Sequence, residues 1–313
     1  MKYKYKSAFA SDMENMVVFK VSLGHSPASY EAGLRRLDTF LCGHYPDSEM
    51  LSQEIVSAWC SYENKDNKSP NHAIVIREFA KYLISAGKEA YVLPAGFSKK
   101  YTPDLPYIFT GEELKNFFAA TDRYPHRDNS PLLEYIVPTI FRLQFACGLR
   151  PKEVLHIRRA DIDYKHKRIY INESKGHKDR MLPVNDETIR LICRYDSILR
   201  TVYPDCTYLF PSPRGDAYRG GWLRNIFRRC WEMSGNRCSG RMPTPYALRH
   251  NYATYILMKW VEEDKDLNVY IPYLSAYMGH ESFSSTFYYI HLLPERLSGL
   301  EYMDAGKIIG GNL

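Results

Sequence analysis

The sequence has no long apolar run. No stretch of about 18 consecutive apolar residues occurs, so no membrane-spanning helix is expected. The lysine-bearing start, MKYKYKSAFASDMENM, has no apolar core after its charges and does not read as a secretory signal. There is no CxxC pair. The seven cysteines (Cys42, Cys60, Cys147, Cys193, Cys206, Cys230 and Cys238) are odd in number and irregular in spacing. That argues against a disulfide framework and for a reducing cytosol. Cys230 and Cys238 precede His250, but at no zinc-ligand spacing, so a metal is not expected. No acidic pair is spaced for two metal ions, and there is neither an internal repeat nor a low-complexity tract.

What is present suits a globular protein facing a polyanion. With 313 residues, 45% of them hydrophobic, the chain can bury one large core or two medium ones. The net charge of +6 is a mild bias toward an anionic partner, one that many ordinary enzymes share. Tyrosine is frequent, at 26 residues, and its ring can be buried while its hydroxyl reaches phosphate or backbone.

Apolar spacing predicts four helices in the first hundred residues: Asp12 to Leu23, Ser29 to Leu41 with Ser29 as cap, Leu51 to Tyr62, and Pro70 to Ala86, stopped by Gly87. The segment LPAGFSKKYTPDLP has a linker composition. A second domain opens at Tyr107, where Thr110-Gly-Glu-Glu113 forms a capping box ahead of Leu114, Phe117 and Phe118. Pro131 to Cys147 reads as a long apolar helix ending at Gly148. Residues 161–185 switch to short runs broken by Lys165-His166-Lys167 and Lys175-Gly-His-Lys178, the pattern of a small antiparallel sheet with two turns. Helices are expected at about 186–203, 221–234, 245–260, 267–278 and 283–290.

Four clusters in the second domain carry chemistry: Gly148-Leu-Arg150-Pro-Lys-Glu153 at a helix end and restart, Ser174-Lys175-Gly176 on a hairpin turn, Tyr246-Ala-Leu-Arg249-His250 on a helix, and Gly279-His280 followed by Tyr289. Singly, each has an ordinary reading as surface charge, helix pair or packing tyrosine. Together they suit attack on a phosphodiester. Arginine forks match phosphate oxygens, a tyrosine oxygen can form a covalent intermediate, and a lysine can protonate the leaving oxygen.

These blocks resemble those of the tyrosine recombinases, or phage integrase family, over most of residues 107–291. CGLRPKEVLHIRRADID resembles the first-arginine box, which implies a catalytic Arg150 with Glu153 as companion. INESKGHKDRMLPV is similar to the family hairpin, implying a catalytic Lys175, with Arg180 and Pro183 in the flanking pattern. PYALRHNYATYIL resembles the second-arginine box and implies Arg249. MGHESFSSTFYYIH resembles the final motif, implying His280 and the nucleophile Tyr289, with Tyr288 a rival by adjacency. One position departs: Tyr246 stands where the family box usually begins with histidine, and a phenol with a reference pKa of about 10 is a poor base at neutral pH.

The resemblance implies a mainly α protein with a small antiparallel β-sheet. A helical core-binding domain (1–95), a linker (96–106) and an α+β catalytic domain (107–291) would form a C-shaped DNA clamp. The tail at 292–313 would dock on a neighbouring subunit or on its own domain. It further implies cleavage and rejoining of double-stranded DNA through a 3′-phosphotyrosyl bond and a Holliday junction by a homotetramer, without metal, cofactor or ATP. Lys99, Lys100, Arg219, Arg224, Arg228 and Arg229 are candidates for backbone contacts, which supply affinity but little sequence information. The chain begins almost at its first helix, so no extra amino-terminal domain is expected. The expected location is the cytoplasm, nucleoid-associated when on DNA. Two other readings are a catalytically weak or inactive DNA-binding relative and a telomere-resolvase-like enzyme, the latter raised by Tyr246.

Overall fold

The computed structural model describes residues 3–25, 27–63, 71–97, 106–172, 179–238 and 240–280, with Thr286 and Tyr289. The chain divides into two compact units, Met1–Asp104 and Leu105–Leu313. Among the described residues no helix is long and apolar enough to cross a membrane.

The first unit contains α1 (Ala10–Ser22), α2 (Ala28–His44), α3 (Gln53–Glu63) and α4 (Asn71–Ser85). Their apolar stripes meet in one core of Met13, Met16, Leu34, Leu37, Trp59 and Phe79, all fully buried. Asp38 on α2 is buried and accepts hydrogen bonds from the backbone of Lys6 and Ser7 and from the Tyr3 hydroxyl, which fastens the chain start to the bundle. One expectation is corrected here. α2 is entered from Pro27 and begins at Ala28, so Ser29 lies inside the first turn and is not its cap. Proline is favoured at a helix start because its φ is already helical and its missing N–H is not needed there.

In the second unit α5 (Gly111–Asp122) starts at the expected box. Thr110 Oγ1 accepts from Glu113 N at 3.2 Å and Glu113 Oε2 accepts from Thr110 N at 2.8 Å. α6 (Leu133–Cys147) is the central helix, buried on nearly all sides and packed against α5. It begins two residues later than its apolar run because Leu132 takes a positive φ of 67°. Arg142 on α6 donates to both carboxylate oxygens of Asp122, at 2.7 and 2.8 Å, so its buried charge is paired.

After α7 (Pro151–Leu155) come β1 (Ile162–Asp163), β2 (Arg168–Ile171) and β3 (Arg180–Pro183), an antiparallel sheet in the order β1-β2-β3. Ile169 and Ile171 face the core while Tyr170 is exposed, the period of two expected for a half-covered strand. The register pairs Ile169 with Leu182 and Ile171 with Arg180. Then follow α8 (Asp186–Val202), α9 (Gly220–Met233), α10 (Pro245–Glu262) and α11 (Leu267–Met278). Both α8 and α10 pack on α6. Asn251 of α10 is buried and accepts from Phe109 N at 2.7 Å, joining the helix to the start of this unit.

Candidate active site

Two helix ends frame the site. α6 closes at Gly148, with φ 58°, where a Cβ would stand 2.4 Å from the Tyr252 ring. Only glycine fits such a left-handed position under a packed ring. α11 closes at Gly279, with φ 65°, beside the Arg180 guanidinium. Three arginines gather on the carbonyls these ends leave open. Arg249 of α10 donates Nη1 to Gly148 O at 2.6 Å and Nη2 to Met278 O at 2.7 Å. Arg150, which precedes α7, donates Nη2 to Gly279 O. Arg180 of β3 donates Nε to Tyr277 O at 2.8 Å.

Glu153 is their shared counter-ion. It accepts from both terminal nitrogens of Arg180 at 2.9 Å each, from Arg150 Nη1 at 2.7 Å and from Arg150 N at 2.8 Å. Arg249 Nη1 lies 4.0 Å away. Burial works against this carboxylate, but the hydrogen bonds and charges of Arg180 and Arg150 outweigh it and hold its pKa down at about 2. Arg249 is fully buried, and burial, reinforced by Arg150, draws its pKa below the ordinary guanidinium value. Among the described residues its Nε has no hydrogen-bond partner. Three guanidinium groups thus face one carboxylate, and a buried donor stands open, a combination suited to an anion.

Tyr289 is 3% exposed and lies against this cluster. Its hydroxyl is 2.8 Å from His250 Nδ1. The His280 ring lies nearly parallel to the Tyr289 ring, with centroids 6.2 Å apart and planes 17° from parallel, while its own Nδ1 is 2.7 Å from Thr286 Oγ1. Burial and then the positive charge of Arg249 push both histidines to about 4, with Arg150 and Arg180 adding to the effect at His280. Both imidazoles are therefore neutral near pH 7.

The structure brings Arg150, Arg249, His280 and Tyr289 together. Tyr246, on the first turn of α10, is partly exposed and sets its ring 4.9 Å from that of His250. Sequence reasoning read His250 only as the neighbour of Arg249. Its place one turn after Tyr246 on the same helix face was the available signal. Lys175, Tyr288, Lys99 and Lys100 lie outside the described residues. Arg219, Arg224, Arg228 and Arg229 sit at the start and along the exposed side of α9. Arg228 ion-pairs loosely with Glu232 at 3.8 Å, and Arg229 covers the Tyr124 ring at 5.5 Å. Among the described residues none of these four hydrogen-bonds or ion-pairs with the tyrosine cluster, and no group of three or more His, Cys, Asp or Glu side chains could hold a metal ion.

A mainly helical unit with a three-stranded sheet, and a buried tyrosine beside clustered arginines, suits an enzyme that attacks a phosphodiester. Comparison with known families agrees: residues 108–296, more than half of the 313, match the phage integrase family. The chain belongs to that family, the tyrosine recombinases, which cleave and rejoin DNA. It is 27% identical over 310 residues to the tyrosine recombinase XerD of Rickettsia conorii, covering 92% of this chain and 95% of that protein. Its fold is similar to that of the XerH site-specific recombinase in a post-cleavage complex with its palindromic difH substrate. The TM-score is 0.64 at 17% identity, over 87% of this chain and 78% of that one. It is also similar to lambda integrase, solved as a tetramer bound to a Holliday junction. There the TM-score is 0.62 at 15% identity, over 88% of this chain and 76% of that one.

Proposed function

We propose that Arg150, Arg249 and His280 bind the scissile phosphate of double-stranded DNA and that Tyr289 attacks it, leaving a 3′-phosphotyrosyl bond. The Tyr289 oxygen forms the new P–O bond, and the bond to the 5′ oxygen breaks. Lys175 protonates that departing oxygen. The 5′-hydroxyl of a partner duplex then reverses the step, so the phosphoester energy is retained and ATP is not needed. The cations that offset the developing charge are side chains. The Thr286 hydroxyl, 2.7 Å from Nδ1, can donate to it, and in that tautomer the single proton of neutral His280 sits on Nε2, where it can be given to a phosphate oxygen. Chief support comes from the convergence of Arg249, with its open Nε, and two neutral imidazoles on the buried Tyr289.

The working unit in this reading is a homotetramer on two duplexes passing through a Holliday junction, as lambda integrase is seen. The helical unit grips the DNA backbone around the core site, and Lys99, Lys100, Arg219, Arg224 and Arg228 contact phosphates. Arg229 is already engaged by Tyr124 and contributes least. The protein works in the cytoplasm, on the nucleoid.

The test uses duplexes drawn from DNA flanking the gene and nicked near each candidate cleavage position, so that the covalent intermediate is trapped. Wild type, Tyr289→Phe and Tyr288→Phe are compared on a denaturing gel. An adduct lost only in Tyr289→Phe is expected. Loss only in Tyr288→Phe moves the nucleophile by one residue. Firm binding with no adduct from wild type makes the chain an inactive member, with Tyr246 marking the lost activity.

A further inference from the structure

We propose that His250 accepts the proton of the Tyr289 hydroxyl. The inference rests on Tyr289 being the nucleophile.

Tyr246 cannot take this part, because a phenol near neutral pH has a proton to give and little capacity to accept one. One helical turn later, on the same face of α10, stands His250. Its Nδ1 is 2.8 Å from Tyr289 Oη, within the reach a general base requires. His280 is the competing imidazole, but it meets Tyr289 face to face and its Nδ1 is engaged by Thr286. Being buried beside Arg249, the His250 ring is neutral and has one nitrogen lone pair to offer.

The proton balance closes. As Tyr289 Oη bonds to phosphorus, its O–H bond breaks and the proton passes to His250 Nδ1, giving an imidazolium. The 5′ oxygen leaves with a proton from Lys175. Religation returns both protons. Timing follows from the charges: an incoming phosphate offsets Arg249, whose field disfavours a protonated His250 in the empty site.

Among the described residues, the titratable groups that face His250 are Arg249 and Tyr246 on its own helix and Tyr289 and His280 beyond α11. The experiment measures single-turnover adduct formation on nicked duplexes from the flanking DNA, using full-length wild type, Tyr289→Phe and His250→Asn. An asparagine oxygen can still accept the tyrosine hydrogen bond but cannot take the proton. The expected result is adduct formation slowed about 100-fold or more at about pH 7, with DNA affinity kept. Between about pH 7 and about pH 9 the variant then gains about tenfold per pH unit, as the phenol ionises unaided, while wild type changes little. A His250→Asn rate equal to wild type, or a deficit that stays constant with pH, overturns the inference.

A measurement on the unaltered protein stands beside it. Nitrogen NMR of labelled histidine is expected to show His250 with Nε2 protonated and Nδ1 bare, and a proton resident on Nδ1 overturns the proposal whatever the variant does. The two levels separate cleanly. No adduct from wild type overturns the recombinase reading and this inference with it. An adduct that needs Tyr289 but is undiminished in His250→Asn overturns the inference alone.

Discussion

Replacing Glu153 with glutamine tests the electrostatic logic of the site directly. In the folded protein this carboxylate sits at about 2, against an ordinary value of 4.5. At about 1.4 kcal/mol per pH unit the difference corresponds to about 3 kcal/mol of folding stability near neutral pH. The sign follows from the depressed pKa: the contribution is full above the unfolded value of 4.5 and is lost as pH falls toward 2. It is down to about half near pH 3, because by then the unfolded state has already taken up its proton. Glu153→Gln removes this contribution and leaves Arg150 and Arg180 without their carboxylate, which for a buried pair is expected to cost about 3–5 kcal/mol. Urea unfolding of wild type and variant, followed in parallel at several pH values, gives the difference. A gap of about 3 kcal/mol or more at pH 7 that holds to about pH 5 and narrows below it is expected. A gap below about 1 kcal/mol, or one that does not change with pH, refutes the reasoning.

Two further substitutions probe the framing of the site. Gly148→Ala places a Cβ against the Tyr252 ring in a left-handed backbone, so a loss of about 1–3 kcal/mol in thermal or urea unfolding is expected. Thr286→Val removes the hydroxyl that fixes the His280 ring; adduct formation should slow about fivefold while gel-shift affinity for DNA is kept, since one hydrogen bond of about 1 kcal/mol orients the imidazole.

Much of this architecture is local and therefore legible. The Thr110–Glu113 box and the glycine stop at 148 act within a few residues of themselves, and the expected helices that lie among the described residues fall close to their observed spans, while the one expected at 283–290 lies largely outside them. The switch to a period of two at Arg168–Ile171 is equally local. Ser29 misled because serine is a good cap wherever the backbone is extended, whereas here Pro27 already has helical angles. What could not be read is what depends on register between distant segments. Arg180 meets Glu153 across 27 positions through the pairing of β3 with β2, and His250 meets Tyr289 across 39. No spacing in the chain encodes either distance. The same holds for the neutrality of His280, which follows from its burial and from arginines on three separate elements.

The arginines of the site hang mostly from main-chain oxygens: those of Gly148, Tyr277, Met278 and Gly279. A carbonyl oxygen belongs to every residue type alike. Tolerance to substitution around the cluster is therefore lopsided. Positions 277 and 278 can change their side chains without altering what the guanidinium groups grasp, so long as packing holds. The two glycines cannot, because with them the carbonyl's direction and the residue's identity are the same thing. A lineage drifting under selection for this chemistry would keep four oxygens in place while their owners, at two positions of the four, were free to vary.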